Sequence, residues 1–398
     1  MPIDFAAKKA LFHLPEGLIY LDGNSLGPMV RTAPARVDQA VQAEWGDLLV
    51  RGWNKAGWMA QPRALGDRIA RLIGAEPGTV VLGDTLSIKV YQALASALEM
   101  NPRRKVVLSD TGNFPSDLYM AEGLTRTLGG QYRLKTVAPE EAMSAIDETV
   151  AVVMLTEVDY RTGRRHHMAD ITRRAHEMGA LVVWDLAHSA GALPVDLAGV
   201  KADFAVGCTY KYLNSGPGGP AFIYVAPRHA DVARPALSGW LGHAAPFAFD
   251  QSYRPGQGIE RMRVGTPPVL QLAALDAALD VWDDVDLREV YAQSLRLQDQ
   301  FIKGVESRAP MLQLATPRSH QMRGSQVSFR HPEGYAIMQA LIAEGVIGDF
   351  RAPDILRFGF TPLFIDEDDV ARAIGILARI MDYGTWDKPE FKLRAAVT

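Results

Sequence analysis

One lysine in this chain is well placed for covalent chemistry. Lys211 lies in the run Gly207-Cys208-Thr209-Tyr210-Lys211-Tyr212-Leu213-Asn214, after an apolar stretch and before a turn rich in Gly and Pro at 215–219. Ligands of open α/β sheets gather at the carboxyl ends of the strands, where an amine can form a Schiff base with a carbonyl group. Because a lysine beside a turn is more often a surface residue, the hypothesis depends on the neighbouring motifs.

An acid closes a second apolar run, Val182-Val183-Trp184-Asp185. A carboxylate at a strand end can pair with a protonated pyridine nitrogen, which is how pyridoxal phosphate becomes an electron sink. Strand-end aspartates more often cap helices. His188 follows three residues later and could bond the carboxylate or cover a ring, although an ordinary loop histidine is an equal alternative.

Two further segments have the residue types that a phosphorylated, planar cofactor needs. Gly83-Asp84-Thr85-Leu86-Ser87 precedes a predicted helix, whose first N–H groups could hold a phosphate dianion. In Asn113-Phe114-Pro115-Ser116-Asp117, Phe114 could stack on a ring. Each segment alone has a structural explanation, as a helix cap or a core aromatic. Lysine, acid, phosphate site and aromatic plate together indicate pyridoxal 5'-phosphate.

Other site chemistries have weaker support. His166 and His167 are adjacent, and with Asp170 they do not complete a recognisable set of metal ligands, so we expect no metal site. The G-x-S-x-G elbow of hydrolases and the G-x-G-x-x-G fingerprint of nicotinamide enzymes are both missing from the sequence.

The overall composition narrows the class of protein. The chain has 398 residues, of which 48% are hydrophobic and 22% charged, as in ordered globular proteins. A net charge of −4 argues against nucleic-acid binding. Cys208 is the sole cysteine, which excludes an internal disulfide and suits a reducing compartment. Neither a membrane-spanning apolar run nor a secretory signal is recognisable, so we expect a cytoplasmic protein with no membrane partner.

The middle of the chain alternates apolar strands with helices, which predicts an α/β fold with a mostly parallel sheet covered on both faces. The predicted strands are Lys105–Ser109, Tyr132–Val137, Val150–Leu155, Ala180–Asp185, Phe204–Thr209 and Ala221–Val225. The predicted helices are Ile88–Leu98 (capped by Thr85 or Ser87), Ser116–Leu128, Pro139–Ile146, Ala169–Met178, Val269–Trp282, Leu287–Ser307 and Asp368–Tyr383.

The pattern of predicted elements changes after Gly265-Thr266-Pro267-Pro268. Longer helices and short strands there predict a smaller C-terminal α+β domain. We therefore divide the chain into an N-terminal segment (1–30), a large cofactor-binding α/β domain (31–275) and a small α+β domain (276–398). Tyr20–Gly27 is expected to be an ordered loop.

The motifs resemble those of a known family in both content and order. They are Tyr20-Leu21-Asp22-Gly23-Asn24-Ser25-Leu26-Gly27, Asn113-Phe114-Pro115-Ser116-Asp117, Asp185-Leu186-Ala187-His188-Ser189-Ala190-Gly191, Thr209-Tyr210-Lys211-Tyr212-Leu213-Asn214, Gly265-Thr266-Pro267-Pro268 and Leu356-Arg357-Phe358-Gly359-Phe360. From about Tyr20 to beyond Phe360 the chain resembles the kynureninase family, which is a class V-like branch of the fold-type I (PLP-dependent transferase-like) enzymes.

The resemblance implies a role for each matching residue. The implied catalytic residues are Lys211, which would carry the cofactor as a Schiff base, Asp185, which would hold the pyridine nitrogen protonated, and Tyr210. The implied cofactor-binding set is Leu86, Ser87, Phe114, Asp117, Thr156, Asp185, His188, Tyr210, Lys211, Trp240 (from a second subunit) and Thr266. Arg357 would bind the substrate α-carboxylate, while Trp53 and Thr266 would line the aryl pocket.

The implied reaction is hydrolytic cleavage of the Cβ–Cγ bond of L-kynurenine to anthranilate and L-alanine, a step of tryptophan catabolism. The resemblance also implies a homodimer with active sites at the subunit interface and 3-hydroxykynurenine as a further substrate. The alternatives are another class V activity, as an aminotransferase or a desulfurase-like lyase, and a catalytically silent regulatory protein. A desulfurase needs a nucleophilic cysteine on a mobile loop, whereas Cys208 is predicted to lie in a strand.

Overall fold

A computed structural model describes residues 2–394. Met1 and residues 395–398, at the ends of the first and last predicted segments, lie outside the described residues. The strands are β1 (Ile19–Tyr20), β2 (Val80–Leu82), β3 (Val106–Asp110), β4 (Arg133–Val137), β5 (Val150–Thr156), β6 (Leu181–Asp185), β7 (Phe204–Gly207), β8 (Phe222–Val225), β9 (Gln313–Leu314), β10 (Gln326–Arg330), β11 (Val346–Ile347), β12 (Asp349–Arg351) and β13 (Ile355–Gly359).

The α-helices are α1 (Phe5–Lys9), α2 (Ala33–Gln39), α3 (Gly52–Lys55), α4 (Gln61–Leu72), α5 (Leu86–Met100), α6 (Pro115–Thr127), α7 (Met168–Glu177), α8 (Val269–Leu279), α9 (Leu287–Arg308), α10 (Gly334–Ala343), α11 (Glu367–Asp382) and α12 (Pro389–Lys392). Within residues 2–394, no helix combines the length and apolar character needed to cross a membrane.

The large sheet has seven strands in the order β2-β8-β7-β6-β5-β3-β4. The five strands from β7 to β4 pair in parallel, whereas β8 pairs antiparallel with both β2 and β7. In β5, Val153 and Leu155 enter one hydrophobic core, while Val152 and Met154 enter the core on the opposite face. This double burial explains the continuous apolar run of the strand and confirms the predicted α/β class.

One predicted helix is wrong. Pro139–Ile146 forms a single 3-10 turn over Pro139–Glu141 followed by hydrogen-bonded turns. The segment joins the edge strand β4 to β5, and Asp147 ends it by accepting the N–H of Thr149 at 2.8 Å. So short a stretch cannot propagate the several turns that make a helix stable.

A second, antiparallel sheet occupies the C-terminal part in the order β12-β13-β10-β9. Helix α11, which contacts α9 and α10, begins at a reciprocal cap, because Asp366 accepts the N–H of Asp369 and Asp369 accepts the N–H of Asp366. This part of the chain therefore has the predicted α+β character, while the division at residues 30 and 275 stays a prediction.

The N-terminal segment pairs with this C-terminal part. Strand β1 runs parallel to β11, with Ile19 opposite Val346 and Tyr20 opposite Ile347. Tyr20 thus lies in a strand instead of the expected loop, and the turn that follows carries the chain back toward the large sheet.

Candidate active site

The carboxyl ends of adjacent parallel strands bring the predicted residues together. Thr156 at the end of β5 lies opposite Asp185 at the end of β6, and Asp185 lies opposite Val206 in β7. Lys211 follows β7 directly. These strand ends surround a cavity of about 300 Å³. Its lining consists of Thr85, Leu86, Ser87, Phe114, Ser116, Thr156, Tyr160, Asp185, Ala187, His188, Cys208, Tyr210, Lys211, Gly218 and Gly219.

His188 is the direct partner of the lysine. The Lys211 Nζ lies 3.0 Å from the His188 Nε2, and the His188 Nδ1 is buried without a hydrogen-bond partner among the described residues. Burial lowers the pKa of His188 well below its ordinary value, and the charges of Lys211 and the nearby arginines lower it further. His188 is therefore neutral near pH 7, and its ring nitrogen can accept a hydrogen bond from the lysine.

Two carboxyl groups lie together beneath the lysine. Asp185 accepts the N–H of Ala187 at 2.9 Å. Asp117 is fully buried in the first turn of α6, and neither of its carboxyl oxygens has a hydrogen-bond partner of normal geometry among the described residues. Burial, followed by the charge of Asp185, raises the pKa of Asp117 well above its ordinary value. Burial also raises the pKa of Asp185, against the opposing charge of Lys211. The pair therefore retains a proton at neutral pH and can share it with a bound group.

The N-terminus of α5 forms another wall of the cavity. Thr85 is its N-cap residue, as expected, but the Thr85 side chain makes no cap hydrogen bond. The first N–H groups of the helix are consequently not capped by Thr85, and Leu86 and Ser87 line the cavity beside them. Asp84 adopts a left-handed conformation (φ +57°) in the tight turn before the helix. An anion such as a phosphate suits this end of a helix.

Aromatic rings cover the cavity. Phe114 is 40% exposed, and its ring centre lies 5.8 Å from the Lys211 Nζ. Tyr160 packs edge-on against Phe114 with ring centres 5.1 Å apart, which leaves a Phe114 face for a planar ligand. Burial raises the pKa of Tyr210, with Cys208 adding to the effect, so this phenol keeps its proton. The Thr156 hydroxyl donates to the Val158 carbonyl at 3.2 Å.

Arg357 is buried and held on all sides. It lies in β13 between the core residues Leu356 and Phe358, as the alternating pattern predicts, and is 1% exposed. Its Nε donates to the Asp349 Oδ1 at 2.7 Å, and its Nη2 donates to the Asp349 Oδ2 and, at 2.6 Å, to the Ser25 Oγ. Arg357 is therefore a buried, fixed guanidinium and not a surface arginine of the strand.

Five predicted residues do not line this cavity within one chain. They are Asp117 and Arg357, which are buried, and Trp53, Trp240 and Thr266. The Trp53 ring centre lies 6.0 Å from that of Trp240, which is 38% exposed, and Thr266 is exposed as well. The single chain thus forms the lysine site and a separate, exposed aromatic cluster.

Sequence reasoning missed four residues: Tyr160, Ser25, Asp349 and Arg351. Tyr160 lines the cavity, and the others surround Arg357. Ser25 lies in the quoted N-terminal motif, which could have indicated it. Asp349 and Arg351 alternate on a strand opposite Arg357, but their pairing becomes visible only in the sheet register.

Cys208 is 3% exposed and directly follows β7, which ends two residues earlier than predicted, so the expectation that Cys208 lies in a strand is wrong. Burial raises the pKa of its thiol, so it is a weak nucleophile held in a rigid position. Among residues 2–394, no group of three or more His, Cys, Asp or Glu side chains could hold a metal ion.

The chain is similar to several known proteins. A family model described as the kynureninase C-terminal domain matches residues 290–377. The kynureninase of Burkholderia pseudomallei (strain 1106a) is 51% identical over 394 residues, covering 97% of this chain and 95% of the relative. The structure resembles a cysteine desulfurase from Thermococcus onnurineus NA1 with a TM-score of 0.80, at 18% identity over 96% of this chain and 99% of the other. It also resembles C-DES, solved with glycine covalently linked to its PLP cofactor, with a TM-score of 0.75 at 20% identity over 91% and 97% of the two chains. The two structural likenesses show the fold alone.

Borohydride reduction in the presence of pyridoxal phosphate should label Lys211. The fully buried Lys89 serves as a comparison, because its Nζ donates to Gln92 at 2.9 Å and to the Met262 carbonyl at 3.1 Å and it does not line the cavity. Peptide mapping of the reduced protein should find the pyridoxyl group on Lys211, and Lys211→Ala should remove it while Lys89→Met keeps it. A label on another lysine would refute the site.

Proposed function

This chain belongs to the kynureninase family, and we propose that it hydrolyses L-kynurenine to anthranilate and L-alanine with pyridoxal 5'-phosphate as its cofactor. Within the structure, the observation that carries the proposal is the convergence of Lys211, His188 and Asp185 on one cavity. 3-Hydroxykynurenine is a further candidate substrate of the same site.

The residues present fit the cofactor. Three features favour the binding of a polar ligand. Thr85 does not cap the N-terminus of α5, the oxygens of the fully buried Asp117 are unsatisfied, and the His188 Nδ1 has no partner among the described residues. Leu86 and Ser87 would hold the phosphate, Phe114 would stack on the ring, and Thr156 would line its edge. Bound pyridoxal phosphate supplies an electron-withdrawing ring that stabilises negative charge on the substrate carbons next to the amine.

Lys211 would hold the cofactor and move protons. Neutral His188 accepts a hydrogen bond from the Nζ at 3.0 Å, which orients the amine without burying a second positive charge. With cofactor and substrate bound, the Nζ would be the group that takes a proton from the substrate Cα and returns one.

Asp185 would pair with the ring nitrogen of the cofactor. Its neighbour Asp117 keeps a proton because burial and the charge of Asp185 raise the pKa of Asp117. Only one negative charge is then buried at this position, and it would stabilise a protonated pyridine nitrogen. Two ionised carboxylates in the same apolar site would repel each other.

Tyr210 and Arg357 act on the substrate side. The Tyr210 phenol retains its proton because burial raises its pKa, so it can donate to a phosphate oxygen or to the substrate carbonyl that water attacks. Arg357 would bind the α-carboxylate, while Trp53 and Thr266 would surround the aryl group.

Neither rival class V activity has equal support. The buried Cys208 thiol, with its raised pKa, lacks the exposure of a desulfurase nucleophile. An aminotransferase would need a keto acid to complete its cycle, which gives a direct experimental distinction.

Purified protein with pyridoxal phosphate and L-kynurenine should produce anthranilate fluorescence and equimolar L-alanine without any keto acid. Hydrolysis needs only water as the second reactant, whereas transamination stops after one turnover. Lys211→Ala serves as the negative control. Turnover that requires a keto acid would refute the proposed reaction.

Asp185→Asn should keep the fold and reduce turnover by about a hundredfold. The amide is nearly isosteric but cannot stabilise the pyridinium proton, and a loss of roughly 3 kcal/mol of transition-state stabilisation has that effect. The exposed Asp147→Asn is a matched control and should behave like the parent. Near-normal kcat in Asp185→Asn, with cofactor content equal to that of the parent, would rule out the role of Asp185.

We further propose that the enzyme acts as a homodimer, with Trp240 reaching the phosphate of the partner subunit. The separation of the Trp53–Trp240 cluster from the Lys211 cavity supports this, as do the exposed neighbours Phe247 (59%) and Phe249 (76%). A cytoplasmic location is part of the same proposal, since the only cysteine is a buried free thiol.

Mixed dimers test whether Trp240 acts across the interface. If it does, a chain with Lys211→Ala and a chain with Trp240→Ala form one intact site per mixed dimer. Equal mixing should then restore about a quarter of the parent activity from two nearly inactive variants, because half the dimers are mixed. Activity that stays at the level of the separate variants would place Trp240 in the site of its own chain.

A further inference from the structure

Most of the N–H donors of Arg357 already make hydrogen bonds within the protein. A guanidinium has five N–H groups. Four of those on Arg357 are engaged, because its Nε and Nη2 bind Asp349, Nη2 also binds Ser25, and Nη1 donates to the Tyr160 carbonyl at 2.6 Å. A single Nη1 hydrogen remains, so Arg357 cannot offer a two-point contact unless an existing hydrogen bond breaks.

Arg351 has the free donors that Arg357 lacks. Its Nη2 donates to the Asp349 Oδ2 at 2.6 Å and, at 3.3 Å, to the Ser25 Oγ. Its Nε is buried with no partner in residues 2–394, and its Nη1 makes no hydrogen bond there. The side chain is 34% exposed, whereas that of Arg357 is 2% exposed. Unpaired buried donors are costly, which favours a ligand that satisfies them.

The sheet register places both guanidiniums on one face. Asp349 lies opposite Arg357 in the β12–β13 pair, and Arg351 follows two residues after Asp349, which is the spacing that returns to the same face. Both positive charges help to lower the pKa of His188, after burial and the charge of Lys211. Since His188 lines the cavity, the electrostatic field of both arginines reaches the reacting groups.

The charges of this cluster leave room for one anion. Arg351 and Arg357 contribute two positive charges and Asp349 one negative charge. Asp22 completes the cluster, and burial, followed by the charge of Asp349, raises its pKa to about 8, so it is mostly protonated near neutral pH. With His188 neutral, the cluster carries one uncompensated positive charge, which matches a single carboxylate.

We propose that Arg351 is a second direct ligand of the substrate α-carboxylate and determines, together with Arg357, the preference for α-amino acids over uncharged analogues. The carboxylate lies between the Nε and Nη1 donors of Arg351 and the remaining Nη1 hydrogen of Arg357. Asp349 orients both guanidiniums. The inference rests on the proposed function, because it concerns the substrate of that site.

The test compares L-alanine, which has the α-carboxylate, with L-alaninamide, which has a neutral amide in its place. Dissociation constants are read from the absorption band of the bound cofactor and do not depend on turnover. Arg351→Met should raise the alanine constant about 10- to 100-fold, the effect of losing a charge-assisted pair, and change the alaninamide constant less than about twofold. Arg330→Met is the matched control, because Arg330 lies at the exposed end of β10, where it pairs with Asp354, and should leave both constants unchanged.

Repeating Arg351→Met in an Arg357→Met background distinguishes a residue that contacts the carboxylate from one that only positions Arg357. If Arg351 contacts the carboxylate directly, Arg351→Met still weakens alanine binding when Arg357 is already replaced. If Arg351 merely orients Arg357, the substitution has no further effect in that background. Loss of the effect in that background, unchanged alanine binding in Arg351→Met, or equal weakening of both ligands would each overturn the proposal.

Arg351→Lys tests the site if Arg351→Met fails to fold, with folding judged by circular dichroism. It keeps the charge without the planar fork, so alanine binding should weaken by several-fold. Unchanged alanine binding in Arg351→Lys would then overturn the proposal. Kynurenine turnover by the parent reports separately on the proposed function, since alanine can discriminate between the arginine variants even if kynurenine is not cleaved.

Discussion

The parallel alignment of β7, β6, β5 and β3 is the constraint on which the site depends. Because the register pairs Thr156 with Asp185 and Asp185 with Val206, the residues that follow these strands emerge at one edge. A slip of one residue would turn Asp185 to the other face of the sheet and replace it with Trp184 or Leu186, both core residues. The apolar packing on the two faces of β5 and β6 therefore sets the distances at which Lys211, His188 and Asp185 meet.

Placing those groups at a dry sheet edge has an electrostatic cost that the ligand offsets. Burial raises the pKa of both Asp117 and Asp185 and lowers that of His188, so each group loses or shares its charge in the free chain. The unsatisfied oxygens of Asp117 and the unpartnered His188 Nδ1 are part of the same cost. A ligand with a protonated ring nitrogen and a phosphate would offset this cost under the proposed function, and its binding to the folded chain would then stabilise the protein by mass action.

The N-terminal segment joins this edge to the arginine cluster. The Gly27 N–H donates to the Tyr210 carbonyl at 2.8 Å, and a Cβ on Gly27 would collide with the Lys211 carbonyl, so only glycine permits the approach. Two residues earlier, Ser25 donates to Asp349 at 2.6 Å and accepts from Arg357. The same short turn thus fixes the lysine loop and the Arg351–Arg357 cluster relative to each other.

Periodicity and strand-end chemistry predict six of the seven strands of the large sheet and place Lys211 and Asp185 at neighbouring strand ends, because those features follow from local residue types. Of the twelve α-helices in residues 2–394, the same reasoning predicts six, namely α5 to α9 and α11, and it misses the short strand β2. Asp349 and Arg351 could not be found in this way, since their significance arises from a cross-strand register with Arg357 that no local pattern encodes. From the sequence, Arg357 alone was expected to bind the substrate carboxylate. Its hydrogen bonds in the structure show that most of its N–H donors are already engaged. The roles of Trp240 and Trp53 could not be derived from local patterns either. In one chain these residues form a cluster away from the lysine, so their part in the site depends on a second subunit. What a residue can do at this site is therefore decided by how many of its hydrogen-bonding groups the fold has left free.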